Sequence, residues 1–292
     1  METVTGPCGV GYTFPTPHDA CQRGHGGEGR HMAAVKLAYD IEGAGPWLTL
    51  LHGFSQSRQV WSAQRPMFAR RYRLLLVDLR GHGESEAPEG GYGPVEYATD
   101  LLALLDSLDI RATHLWGTHT GASIGLYLAA LHPDRVASLV LDGAVIPGVR
   151  IDAVERQMQR AKEIAARDGL VAARTMWFEE GEFFAGIRRY PERRRAGEHR
   201  QIIAGFSGTP WLATDPPLPV PDVAGRLSSI RQPTLLINGA DDLPEFLDTA
   251  ARLERELPHS RRYLIPGAGA FPLWEEPEAV NPVVTQFLNE IT

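Results

Sequence analysis

Six short apolar runs, spaced so that helical patterns fall between them, constrain this chain more than any other feature. They are WLTLL (47–51), YRLLLVDL (72–79), THLWG (113–117), VASLVL (136–141), PTLLING (233–239) and YLIPG (263–267). Several are almost continuously apolar, which suits strands covered on both faces and not one-sided antiparallel strands. Leu101, Leu104, Leu105 and Leu108 recur at helical spacing, as do Val284, Phe287, Leu288 and Ile291 near the C-terminus. The expected fold class is therefore α/β, a mostly parallel, doubly wound sheet with helices on both sides. Residues 148–222 break the alternation. IDAVERQMQRAKEIAARDG presents Val154, Met158, Ala161 and Ala165 on one helical face with Gly169 as a C-terminal stop, and the segment ends in the proline-rich PPLPVP (216–221). We expect a core from 32–147 and 223–292 with a helical cap inserted at 148–222. Residues 1–31, rich in glycine and proline and without periodicity, are expected to be a disordered extension.

Composition narrows the function classes. The 292 residues carry a formal charge of -7, which gives no general attraction for polyanions, so neither nucleic acid nor an anionic membrane surface is an expected partner. Hydrophobic residues make up 43% of the chain, enough for a substantial core, yet no apolar run is long enough to span a bilayer. The cysteines are only two, Cys8 and Cys21, too few to staple a chain of this length. These readings imply a cytoplasmic protein acting on a small molecule, with no cofactor. Cys8, His18, Cys21, His25 and His31 lack the paired short spacing of a zinc finger, and no metal is expected.

A glycine-containing turn follows most of the runs: HGF (52–54), DLRGHGES (78–85), GTHTG (117–121), GADD (239–242) and GAGAFPLWEEPEAVN (267–281). In that order and spacing the set resembles the α/β-hydrolase superfamily, especially its capped branch of epoxide hydrolases, haloperoxidases and carbon–carbon bond hydrolases. The resemblance extends from Met32 to Thr292. It implies a strained strand-to-helix elbow at Gly117–Gly121, with the following helix closing at His132-Pro133. It also implies backbone donors of an oxyanion hole at Phe54 and Thr120, such donors being worth about 3–4 kcal/mol of barrier.

Two positions depart from the pattern. His119 stands at the elbow apex where the family has its nucleophile, and Ala270 stands where GAGAFP should carry the catalytic histidine. Asp242 matches the acid turn, while Asp241 is read as a solvated neighbour and Asp142 is held as a reserve acid. An acyl-enzyme route, which needs an activated hydroxyl or thiol beside a base, is not supported, and neither Thr118 nor Thr120 suits the nucleophile position. The two departures suggest a relocated dyad in which His119 reaches into the space left at 270 and bonds Asp242. That arrangement would serve general-base hydrolysis, elimination or carbon–carbon cleavage. The alternative is a catalytically dead protein that keeps the pocket as a ligand receptor. Under either reading Phe54, Trp116, Trp177, Trp211, Phe271 and Trp274 are the expected apolar pocket. His52, His82 and His114 are read as structural. The run IRRYPERRR, with Arg188, Arg189, Arg193, Arg194 and Arg195, is read as a solvated helix face, the alternative being an anionic-substrate attractor.

Overall fold

The computed structural model describes residues 33–291, and the expectations for residues 1–31, including the cysteine and histidine set there, lie outside it. Residues 34–291 form one compact unit. Seven strands make one sheet: β1 (Tyr39–Glu42), β2 (Trp47–Leu51), β3 (Arg73–Val77), β4 (Thr113–Thr118), β5 (Val136–Asp142), β6 (Thr234–Gly239) and β7 (Ser260–Ile265), in the order β1-β3-β2-β4-β5-β6-β7. All neighbouring pairs are parallel except β1 with β3. The apolar runs became strands because both their faces are covered. Leu48 and Leu50 pack with Trp61 and Trp116 on one side, while Leu51, Leu75, Val77 and Leu115 pack on the other.

Two strands differ from expectation. YDIE (39–42) was not read as a strand because it is short and alternates half-buried with exposed residues, as an antiparallel edge strand does. The last strand runs Ser260–Ile265, not 263–267; it is the other edge of the sheet, where the charged Arg261 and Arg262 are tolerated and hide the strand signal.

Strand β2 lies between β3 and β4, so the chain reverses its direction of winding there. Such a reversal opens a crevice at the carboxyl ends of the two strands, and the loops leaving Leu51 and Thr118 bound it. The helices that matter for the site are α1 (Pro94–Ser107), α2 (Thr120–Leu131), α3 (Asp152–Asp168), α4 (Leu170–Glu180), α5 (Ala196–Ala204), α6 (Pro244–Glu256) and α7 (Pro277–Ile291). Helices α3 to α5 lie between β5 and β6, inside the segment that broke the sequence alternation. Gly169, at φ 85°, separates α3 from α4, a backbone conformation that costs glycine little. Among the described residues no helix is long and apolar enough to cross a membrane.

Candidate active site

The turn from β4 into α2 brings His119 to the crevice. Its φ of 47° and ψ of -102° are unusual for a residue with a side chain, and strained backbone of this kind persists only where its surroundings enforce it. The enforcement is visible at Gly117 and Gly121. A Cβ on Gly117 would stand 2.2 Å from the Gly121 carbonyl carbon, and one on Gly121 would stand 2.2 Å from the Leu51 carbonyl oxygen. Strand, turn and helix thus meet backbone to backbone, and the apex backbone is fixed by His119 N–H donating to Asp142 O (2.9 Å) and His119 O accepting from Ser123 N–H (2.9 Å).

The imidazole does not meet a carboxylate. Its Nδ1 lies 3.0 Å from the Thr118 hydroxyl, and the ring sits between Phe271 (centroids 4.6 Å) and Phe246 (5.0 Å). Its far edge abuts Gly143, where a Cβ would fall 2.8 Å from both Cε1 and Nε2. Nε2 has no hydrogen-bond partner. Burial lowers the ring's pKa from its ordinary 6.5 to about 3, so His119 is a neutral imidazole at physiological pH.

The expected His119–Asp242 hydrogen bond is absent, and the reason lies with the acid. Asp242 accepts from Asn238 Nδ2 (3.0 Å) and from the Leu243 amide (2.8 Å), which take one carboxyl oxygen each. Burial raises its pKa to about 6, against the lowering effect of those two donors. Asp142 touches the elbow through its backbone carbonyl, not its carboxyl. Both its carboxyl oxygens lack a well-formed hydrogen bond, and burial, with the nearby Asp242 adding, pushes its pKa well up; the Leu273 amide only partly offsets this. Burial thus disfavours the charged form of Asp142, and its carboxyl makes no hydrogen bond to His119.

Sequence reasoning missed Glu275. Its carboxylate accepts the amides of Gly269 (2.9 Å) and Phe271 (3.2 Å), clamping the loop that carries Ala270, and it pairs with Arg194 (2.6 Å). Arg194 is 1% exposed and also reaches Glu276 (2.8 Å) and the Gly267 carbonyl (2.6 Å). The arginine run is thus neither wholly a solvated face nor an attractor for substrate. Arg194 is a buried tie between the inserted helices and the last loop, and Arg188 donates to the Phe178 and Gly181 carbonyls.

A cavity of about 520 Å³ opens over His119. Trp177 and Phe271 line it with Phe54 and Thr120, but Trp116, Trp211 and Trp274 do not. Trp116 packs on Trp61 and Phe68 in the core (5.1 and 5.3 Å), Trp211 lies against Phe206 (5.0 Å), and Trp274 donates its indole N–H to the Arg194 carbonyl (2.7 Å). The wall that was missed includes Val154, Met158, Phe183 and Phe246. The first two were legible as an apolar helix face, but periodicity does not distinguish a face against a core from one against a cavity.

The loop after β2 is held by both sheet and inserted helices. Leu79 N–H donates to His52 Nε2 (3.0 Å), leaving Nδ1 to donate to Gly53 O (2.7 Å), which gives His52 the structural part expected of it. Gly53 N–H donates to Gln56 Oε1 (3.0 Å), and Gln56 Nε2 donates to His199 Nε2 on α5 (3.2 Å). Trp177 on α4 donates to the Ser55 hydroxyl (2.7 Å), at a residue with φ 65°. Between these ties the amide of Phe54 donates to no other described group, and the same holds for Thr120. Among the described residues no cluster of three histidine, cysteine or acidic side chains is placed to hold a metal.

A parallel sheet with a strained elbow and an apolar cavity at the strand ends defines the hydrolase-type α/β class. The sequence signature of the alpha/beta hydrolase fold matches residues 46–277, and the chain belongs to that family. A Bacillus subtilis (strain 168) protein provisionally designated 2-succinyl-6-hydroxy-2,4-cyclohexadiene-1-carboxylate synthase is 30% identical over 270 residues, covering 88% of this chain and 96% of its own length. Among solved structures, the enol-lactonase from Burkholderia xenovorans LB400 superposes with a TM-score of 0.75 at 25% identity, covering 87% of this chain and 97% of that one. A thermophilic esterase from Thermogutta terrifontis gives 0.74 at 26% identity, covering 88% and 94%.

Proposed function

We propose that this chain binds a small, largely apolar carbonyl compound in the cavity, its oxygen at the Phe54 and Thr120 amides as an oxyanion hole, and acts on it without a covalent intermediate. The observation that supports this most is that Phe54 and Thr120, whose amides are unpartnered, line one cavity together with His119, a neutral imidazole on a strained elbow; the inserted helices serve as its cap. In hydrolysis, His119, its ring turned so that Nε2 leaves Gly143 and meets the cavity, takes a proton from water as the water oxygen bonds to the carbonyl carbon and the carbonyl electron pair moves to oxygen. The proton returns to the leaving group as the intermediate collapses. The same base and oxyanion site suit elimination or carbon–carbon cleavage.

Charging His119 while the cavity holds no anion is unfavourable by about 5 kcal/mol, the free-energy equivalent of moving its pKa from 6.5 to about 3. A proton is therefore accepted only as negative charge develops on the neighbouring oxygen, where the ion pair offsets that cost. A second reading, a receptor that binds without turnover, is favoured by one observation: no carboxylate hydrogen-bonds His119 to orient it or stabilise its charged form.

The test is a panel of activated esters, enol lactones and β-hydroxy ketones. We expect turnover of at least one, a loss of at least about 10²-fold in His119→Ala, no pre-steady-state burst, and no labelling by a fluorophosphonate. A stoichiometric serine adduct, or unchanged turnover in His119→Ala, removes the base mechanism. Binding without turnover selects the receptor reading.

A further inference from the structure

One polar group on the cavity wall has no part in the chemistry above. Ser123 lies on the first turn of α2, is 6% exposed and lines the cavity. A serine inside a helix either returns its hydroxyl to the carbonyl four residues back or points it away from the helix. Here that carbonyl, of His119, accepts the Ser123 amide, and the hydroxyl enters no hydrogen bond. The hydroxyl of Thr120, three residues earlier and also on the cavity wall, is likewise unpaired. The rest of the wall is mostly apolar, with Val145, Met158 and Phe246 among its residues; Tyr97 adds a buried phenol with no hydrogen-bond partner, which is not on α2, and the charged lining groups Arg150 and Glu155 are solvent-exposed.

We infer that Ser123 is a specificity-determining residue that hydrogen-bonds a second oxygen of the ligand, so that the cavity selects β-oxygenated carbonyl compounds over simple ketones. The inference rests on the carbonyl-binding reading above. A rise of 1.5 Å per residue places Ser123 about 4.5 Å along the helix from Thr120, a span that two oxygens on alternate carbons of one ligand can bridge. The amino end of a twelve-residue helix favours oxygen at both points. A simple ketone leaves the serine hydroxyl dry and unpaired, and sites of this kind discriminate strongly against ligands lacking the matching group.

The experiment compares 4-phenylbutan-2-one with 4-hydroxy-4-phenylbutan-2-one by calorimetric titration of the wild-type chain, Ser123→Ala and Thr120→Val. The wild type is expected to prefer the hydroxy ketone by about tenfold, and Ser123→Ala to reduce that ratio to below about twofold. Alanine is a strong helix former, so the variant should fold, and its melting temperature checks this. An unchanged ratio in Ser123→Ala, or loss of the preference only in Thr120→Val, overturns the assignment to Ser123. If the wild type binds both ketones equally, this inference alone fails. If it binds neither, the carbonyl-binding reading fails with it.

Discussion

The double variant His119→Ser/Ala270→His is expected to hydrolyse 4-nitrophenyl acetate about 10²-fold faster than either single variant. The scaffold for a serine triad is largely present. The strained backbone at 119 is set by Gly117, Gly121 and Leu51 and not by the imidazole, so a serine there should keep the elbow conformation. Position 270 is held from both sides by the amides that Glu275 accepts, and a histidine placed there would compete with Asn238 for Asp242. A serine without a base stays protonated, while a histidine at 270 facing the imidazole at 119 is crowded and has no nucleophile to activate. The coupling between the two changes is therefore the informative quantity. Additive single effects in a folded double variant would mean that Asp242 and position 270 do not face one another.

Acid is expected to unfold this protein early. His52 is lowered to about 4, and His82, His119 and His199 to about 3, in each case mainly by burial. For a histidine whose folded pKa is depressed, the unfolded chain takes up the proton first, so stability present above pH 6.5 is lost as the pH falls toward the folded value. Asp142, Asp242 and Glu275 act oppositely. Their pKa values are raised, chiefly by burial, and the folded state keeps protons that the unfolded chain releases above about pH 4. The depressed imidazoles, His114 among them, outnumber the raised carboxyls, so the net effect is a loss of stability as the pH falls below about 6.5. The imidazole contribution ends as the pH falls through 4 toward 3, where the folded rings take up their protons as well. Urea denaturation midpoints measured from pH 8 to 4 should decline from about pH 6.5 downward. A midpoint that is flat or rises between pH 6 and 4 would show that these rings are not held neutral.

Much of the fold was legible because buried parallel strands need continuous apolar runs and the turns between them need glycine. The elbow was legible for the same reason: Gly117 and Gly121 are required by backbone contact, whatever residue stands between them. The direction of the His119 ring was not. It follows from the Thr118 hydroxyl, the Phe246 and Phe271 rings and the bare Cα of Gly143, which come from four separate stretches of sequence. Asp242 was found by its turn, but its commitment to Asn238 depends on a residue whose amide looks, in sequence, like ordinary strand-end polarity. Arg194 shows the limit of charge patterning. Among five neighbouring arginines nothing local marks the one that is buried against Glu275, because its partner is 81 residues away. Trp116, Trp211 and Trp274 were equally suited by composition to pocket or core, and only the packing separates them from Trp177.

The central claim is that a carbonyl oxygen docks on the Phe54 and Thr120 amides. The most direct measurement is an amide proton–nitrogen correlation spectrum of the assigned protein titrated with 4-phenylbutan-2-one. A hydrogen bond formed where none existed should move the Phe54 and Thr120 amide protons downfield, saturably and more than any other amides, while Gly53 and Gly121, already bonded to Gln56 and His52, move little. Saturable binding that leaves the Phe54 and Thr120 resonances in place, with the largest shifts elsewhere, would contradict the account.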